Sequence, residues 1–208
     1  VVHYRGLTFM PGDIVLMDSF NAVPATMSKY LFNGSAFSHV AVFAILRHQN
    51  RTVPVLIEIT GRGLGVIPLN TYFAPNFTTY AEVFRHKDLG PALHAKANQV
   101  IQNLSNQRFT YDLTYSTRAD ATRCPDFANL IFKSLGLATV SAKTSLREDA
   151  DSLRRQFQIE APALVLTPTD FARDAKMTLV GTIDNQLLHH DLAFELIGRS
   201  LVSHWNQH

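Results

Sequence analysis

The sequence predicts one domain of mixed α and β structure, because short apolar strand patterns fill its first half and amphipathic helical patterns follow. Its 208 residues are 46% hydrophobic and 17% charged, a composition typical of a chain with one sizeable core. Two apolar segments around a glycine-rich turn, residues 53–60 and 66–69, predict a β-hairpin. We therefore treat residues 1–208 as a single domain, with residues 184–208 as a C-terminal helical extension.

Strands are predicted where short apolar runs follow turn residues. Residues 38–46 are apolar on both faces, which is typical of a central strand that is covered on both sides. Residues 53–60 alternate, and they include Glu58, a carboxylate that is costly within a strand unless it is paired. The predicted strands are residues 10–18, 38–46, 53–60, 66–69, 80–85, 162–166 and 177–183.

Helices are predicted from apolar residues at three- and four-residue spacing and from end signals. Pro125 is expected at the first helical position of one helix, and Gly136 supplies its C-terminal stop. Ser145 and Glu148 have the spacing of a capping box, which predicts that a charged surface helix opens there. The predicted helices are residues 21–32, 91–103, 125–135, 145–157 and 184–205.

Cys124 is the only cysteine in the chain, and it lies at the predicted start of a helix. Unpaired backbone N–H groups at a helix start favour a thiolate over a thiol and can stabilise an oxyanion. The alternative is a buried cysteine that acts as a small apolar residue. The charged neighbours Arg123 and Asp126 make burial the less favoured of the two interpretations.

A cysteine hydrolase also needs an imidazole and a third polar group that orients the imidazole. His39, at the mouth of the central strand, and Glu58, on the next strand, are the candidates for these roles beside Cys124. If the two strands are neighbours, both side chains can project toward the same edge. The alternatives are a hydrogen-bonded histidine at a strand end and a carboxylate on an edge strand that faces water.

Several other classes of function are disfavoured by the sequence. A net charge of +2, with scattered lysines and arginines, offers no basic stripe for nucleic acid. No apolar run is long enough to span a bilayer, and the start of the chain lacks the order of a signal peptide. His189 and His190 are adjacent on a predicted helix and point in different directions, so we expect no metal and no other cofactor.

The order of several short motifs resembles the circularly permuted NlpC/P60 papain-like hydrolases, in which the histidine strand precedes the cysteine helix. The resemblance covers roughly residues 9–137 and has a weaker echo in residues 168–170. One departure is that Pro125 and Asp126 follow the cysteine, where the permuted proteins often carry Ser-Glu. The motifs are Pro11-Gly12-Asp13, Ser38-His39-Val40, Ile57-Glu58-Ile59, Tyr111-Asp112 and Cys124.

The resemblance implies a papain-like α+β fold with a central, mostly antiparallel sheet packed by helices. It implies Cys124 as the nucleophile, His39 as the base and Glu58 as the orienting residue, with Asp13 in a structural role. The candidate substrate-binding residues are Asp126, Tyr111 and Ser38.

Three functions agree with this resemblance. The first is an endopeptidase or amidase that cleaves peptidoglycan stem peptides, in the form of a secreted antibacterial effector with a periplasmic or secreted site of action. Its partners would be the peptide substrate and an immunity or delivery protein. The second is a lipid acyl hydrolase or acyltransferase, suggested by the 14 phenylalanines and the apolar terminal helix. The third is a catalytically silent binding module.

Overall fold

A six-stranded antiparallel sheet forms the centre of the protein. The computed structural model describes residues 1–18, 31–34, 36–48, 50–75, 77–112, 121–150, 155, 158–159 and 162–185. The strands in these residues are β1 Val2–Tyr4, β2 Leu7–Phe9, β3 Ile14–Asp18, β4 His39–His48, β5 Arg51–Thr60, β6 Gly63–Pro68, β7 Tyr80–His86, β8 Thr110–Tyr111, β9 Ala121–Thr122, β10 Thr144–Ser145, β11 Leu164–Val165 and β12 Met177–Asp184. The central sheet has the order β12-β7-β3-β4-β5-β6.

Helices cover this sheet and carry part of the candidate site. They are α1 Leu69–Tyr72, α2 Pro91–Ser105, α3 Cys124–Ser134 and α4 Pro168–Arg173, with a 3₁₀ turn at Glu148–Ala150. α2 and α3 contact β4, and α3 also contacts β5. None of the helices in the described part of the chain is both long and apolar enough to cross a bilayer.

The two middle strands are buried on both faces, as the apolar run at residues 38–46 predicts. Val40 and Val42 join the core beneath α2 and α3. Ala41 and Phe43, one residue out of phase, join a second core that also contains Tyr72. Because side chains alternate along a strand, this burial fixes which residues of β4 face which layer.

The predicted α+β fold with a mostly antiparallel sheet is confirmed. The hairpin is β5-β6, and the helix predicted at residues 91–103 is α2. The cysteine helix begins one residue earlier than expected, at Cys124, and ends as predicted beside Gly136, whose φ of 75° suits glycine.

The prediction that a helix begins at Ser145 is wrong. Ser145 belongs to β10, which pairs with β11, and Leu146 forms a bridge with Phe32. These backbone pairings use the groups that a helix start would need, so tertiary pairing overrides the local capping signal. Asp184, where the terminal helix was expected to begin, is instead the last residue of β12.

Other predictions fall on residues outside the described ranges. Of the helix predicted at 21–32, residues 21–30 lie outside these ranges. The same holds for residues 151–154 and 156–157 of the predicted charged helix and for residues 186–208 of the predicted C-terminal extension.

Candidate active site

His39 and Glu58 meet because their strands are neighbours in a fixed register. Ala41 of β4 pairs directly with Glu58 of β5, so Glu58 shares a face with Ala41 and with His39 two residues earlier. The His39 Nε2 atom lies 2.8 Å from Glu58 Oε2. Both side chains are buried, at 4% and 9% exposure, which makes this a pair shielded from bulk water.

Cys124 reaches the other side of the imidazole from the first position of α3. Cys124 is buried, at 4% exposure, so the expectation that burial is the less favoured interpretation is wrong. Its side chain nevertheless lies close enough to His39 to raise the pKa of the imidazole. The backbone N–H groups at the start of α3 have no partner within the helix, and the helix dipole favours negative charge there. The cysteine therefore combines an imidazole partner with an electropositive helix end.

Charges in this cluster support one another. Burial opposes a charge on His39, but the negative charge and hydrogen bond of Cys124, together with Glu58, raise the pKa of His39 to about 10. Burial also opposes ionisation of Glu58, yet hydrogen bonds from His39 and Tyr72 keep its pKa below the ordinary value. The arrangement favours an imidazolium at His39 beside an ionised Glu58 carboxylate.

Tyr72 is a member of this cluster that the sequence interpretation missed. Its hydroxyl donates to Glu58 Oε2 at 2.9 Å, and its side chain is fully buried. Burial and the charge of Glu58 raise the pKa of Tyr72 well above 10.0, so the phenol stays protonated and acts as a donor. No local signal marked it, because its role depends on how α1 folds back from the end of β6.

A cleft opens above the cysteine, and two of the three predicted substrate-binding residues line it. Ser38 and Tyr111 lie in its wall, whereas Asp126 does not. The Asp126 carboxylate accepts a hydrogen bond from Arg123 Nε at 2.7 Å, and Arg123 does line the cleft. The residues around the cleft are Phe32, Ser38, Tyr111, Arg123, Cys124, Pro125, Leu166, Thr167 and Pro168.

The far wall of the cleft comes from the start of α4, which the sequence interpretation left without a helix. The backbone N–H of Thr167 donates to the Asp170 carboxylate at 2.8 Å, and the Thr144 hydroxyl donates to the same carboxylate at 2.9 Å. Thr167 and Asp170 form a capping box, with Pro168 in the first turn. This Thr-Pro-x-Asp signature in the sequence could have identified the helix.

Comparison with known proteins assigns the fold to a family. The family model described as permuted papain-like amidase enzyme, YaeF/YiiX, C92 family, matches residues 8–181. The chain belongs to this family. The C92 assignment supports an amidase, and hence a hydrolase, at the level of the family.

Among solved structures, the chain is similar to metalloprotein yiiX from Escherichia coli O157:H7, with a TM-score of 0.65 and 18% sequence identity. The match covers 84% of this chain and 98% of the other, so the two share a fold. No curated protein matches the chain.

Proposed function

We propose that this C92-family protein is a cysteine amidase in which Cys124, His39 and Glu58 form the catalytic triad. The observation that carries the proposal is the buried 2.8 Å contact between His39 and Glu58 next to a cysteine at a helix start. The proposal is supported by the chemistry of the three groups, since a cysteine hydrolase uses a sulfur nucleophile, an imidazole and a carboxylate that orients the ring.

In the first step of the proposed reaction, the Cys124 thiolate attacks the carbonyl carbon of the amide. The carbonyl electrons move to oxygen, where backbone N–H groups at the start of α3 stabilise the oxyanion. As the oxyanion collapses, the C–N bond breaks, and His39 gives its proton to the departing amine, which leaves a thioester on Cys124.

In the second step, water attacks the thioester while His39 accepts a proton from that water. The carbon–sulfur bond breaks, the acid product leaves and the thiolate returns. Throughout, Glu58 keeps the imidazole oriented and stabilises its charge, and it need not accept a proton.

The proposed substrate is a stem peptide of bacterial peptidoglycan. Such peptides carry carboxylates near their amide bonds, and the Arg123 guanidinium at the cleft is a cation that suits them. Asp126 is proposed to hold Arg123 in place, while Ser38 and Tyr111 contact the substrate from the cleft wall.

A lipid acyl hydrolase or acyltransferase is the second candidate, and the apolar part of the cleft favours it. Phe32, Leu166 and Pro168 line the pocket at Cys124 and offer apolar surface to an acyl chain. The chemistry at sulfur would be the same, with an ester carbonyl in place of an amide.

The similar protein from Escherichia coli is called a metalloprotein, and this property is not carried over to the present chain. Within the described ranges, no group of three or more histidine, cysteine, aspartate or glutamate side chains is arranged to hold a metal ion.

Mass spectrometry of purified muropeptides and, separately, phospholipid vesicles after incubation with the protein tests these functions. We expect new peptide fragments with the parent protein and none with Cys124→Ala. Released fatty acid without peptide cleavage would favour the lipid enzyme. If neither substrate changes while Cys124→Ala and the parent bind muropeptides equally well, the protein is a binding module and the amidase proposal is wrong.

We further propose that the protein acts as a secreted antibacterial effector, which would require an immunity or delivery partner. The test directs the parent and Cys124→Ala to the periplasm of a test bacterium. It distinguishes an antibacterial effector from an amidase that does not harm the cell in which it acts. Lysis with the parent alone is expected. Normal growth with an active enzyme present would reject the effector role and leave the amidase activity untouched.

A further inference from the structure

The Glu58 carboxylate needs a second support besides His39, because one hydrogen bond leaves the carboxylate free to swing about that contact. Opposite Glu58 on β6 stands Gly65, where an added Cβ would lie 3.2 Å from Glu58 Cγ and 3.4 Å from Oε1. The absence of a side chain at Gly65 gives the carboxylate room on that side. Its orientation must therefore be set by other contacts.

Tyr72 supplies that support. Its hydroxyl lies 2.9 Å from Glu58 Oε2, the same oxygen that contacts His39 at 2.8 Å. With two donors converging on one oxygen, rotation of the carboxylate would break both hydrogen bonds at once. A network of this kind is stronger and more rigid than its separate pairs.

The phenol is itself held in place by packing. The Tyr72 ring makes an edge contact with Phe73, with centroids 5.8 Å apart, and a tilted contact with Phe77 at 5.1 Å. Its backbone carbonyl accepts a hydrogen bond from the Thr78 hydroxyl at 2.6 Å. A buried, packed ring presents its hydroxyl with little freedom, which is what an orienting donor requires.

We infer that Tyr72 is a positioning residue that sets the reactivity of Cys124 through a hydrogen-bonded chain from Tyr72 to Glu58, His39 and Cys124. This inference rests on the proposed function, since it extends the proposed triad by a fourth member. Tyr72 touches neither the sulfur nor the cleft wall in any described contact. The hydrogen bond of Tyr72 to Glu58 is the contact through which we expect its effect to travel.

The test measures the rate at which iodoacetamide alkylates Cys124 at pH 6, a reaction that needs no knowledge of the substrate. Tyr72→Phe removes one oxygen atom and should slow alkylation roughly tenfold. A tenfold change corresponds to the interaction energies that are typical of residues in one hydrogen-bonded network. Tyr80→Phe is the matched control, because Tyr80 also donates to a glutamate, Glu82, at 2.7 Å and does not line the cleft. It should leave the rate unchanged.

A double-mutant cycle distinguishes positioning from packing. In a Glu58→Gln background, Tyr72→Phe should change the rate less than about twofold, because the group through which it acts has already been altered. If the two substitutions multiply their effects, or if Tyr80→Phe slows alkylation as much as Tyr72→Phe, Tyr72 does not act through Glu58 and the inference fails.

Gly65→Ala keeps the inference testable if Tyr72→Phe does not fold. An added methyl group would lie 3.2 Å from Glu58 Cγ and 3.4 Å from Oε1, the oxygen that Tyr72 does not contact, and by displacing the carboxylate it should slow alkylation in the same way. An unchanged rate in folded Gly65→Ala would show that the placement of Glu58 does not matter. Failure of the amidase proposal appears separately, as intact muropeptides together with the expected alkylation rates.

Discussion

Replacing Glu58 by glutamine should cost the most stability between pH 4.5 and 6.5. The carboxylate accepts hydrogen bonds from His39 at 2.8 Å and from Tyr72 at 2.9 Å, in a site that is shielded from water. Hydrogen bonds to charged groups contribute roughly 1.5–3 kcal/mol, and glutamine keeps an acceptor oxygen but not the charge. We therefore expect the free energy of unfolding to fall by about 2 kcal/mol in this range.

The pH limits follow from the two pKa shifts. The pKa of Glu58 is lowered in the folded protein, so its contribution is complete above 4.5 and is lost as the pH falls through the folded value. The pKa of His39 is raised to about 10, so its contribution is complete below 6.5 and is lost as the pH rises through the folded value. The difference between parent and Glu58→Gln should shrink on both sides.

Urea unfolding of both proteins at several pH values measures this difference. A loss of about 2 kcal/mol corresponds to a shift in the urea midpoint of roughly 1 M. Glu82→Gln is the matched control, since Glu82 also accepts a hydrogen bond from a tyrosine, at 2.7 Å. A difference that stays constant from pH 5.5 to pH 10, or that grows at high pH, would refute the charged pair as the source of the effect.

Three further substitutions test the site and its frame. His39→Ala should slow alkylation of Cys124 at pH 6 by roughly tenfold or more, because the imidazolium no longer stabilises the thiolate; an unchanged rate would remove His39 from the site. Asp13→Asn should lower the free energy of unfolding by about 3 kcal/mol, since the fully buried carboxylate contacts two Arg85 nitrogens at 2.7 Å. Equal urea midpoints for Asp13→Asn and the parent would contradict that estimate. Asn98→Ala should speed hydrogen exchange at the Ile45 amide, because the Asn98 side chain bonds both backbone groups of Ile45 at 2.7 Å; unchanged exchange would argue against this role.

The sheet could be predicted from the sequence because its strands have a burial requirement that is visible locally. A run that is apolar on both faces, such as residues 38–46, has few stable places other than the middle of a covered sheet. The short strands were harder. β1 and β2 contain three residues each, and β10 contains two, so their pairing depends on partners that no local pattern reveals.

One local signature gave different results at two places. Ser145 and Glu148 have capping-box spacing, but the chain there pairs as a strand. Thr167 and Asp170 have the same spacing with Pro168 between them, and there the capping box does open a helix. The difference lies in the neighbouring backbone, because β11 occupies the hydrogen-bonding groups of β10. Capping chemistry alone therefore could not decide between the two segments.

The candidate triad could be assembled from residue types and strand order, whereas Tyr72 could not. His39 and Glu58 lie on successive strands, so their meeting requires only that the strands pair in register. Tyr72 reaches Glu58 from a four-residue helix after β6, and its orientation depends on packing against Phe73 and Phe77. Orienting groups of this kind are fixed by tertiary packing, which a sequence pattern does not contain.

The groups that would activate Cys124 and those that would select its substrate come from different parts of the fold. His39 and Tyr72 belong to buried elements behind the sulfur, whereas Arg123 and Thr167 belong to the cleft wall. Substitutions without shared partners combine almost additively. Changes at Thr167, which unlike Arg123 is not a neighbour of Cys124 in the chain, should therefore alter which acyl group is accepted while the alkylation rate of Cys124 stays constant. The same hydrogen-bonded chain then serves amide and ester substrates alike.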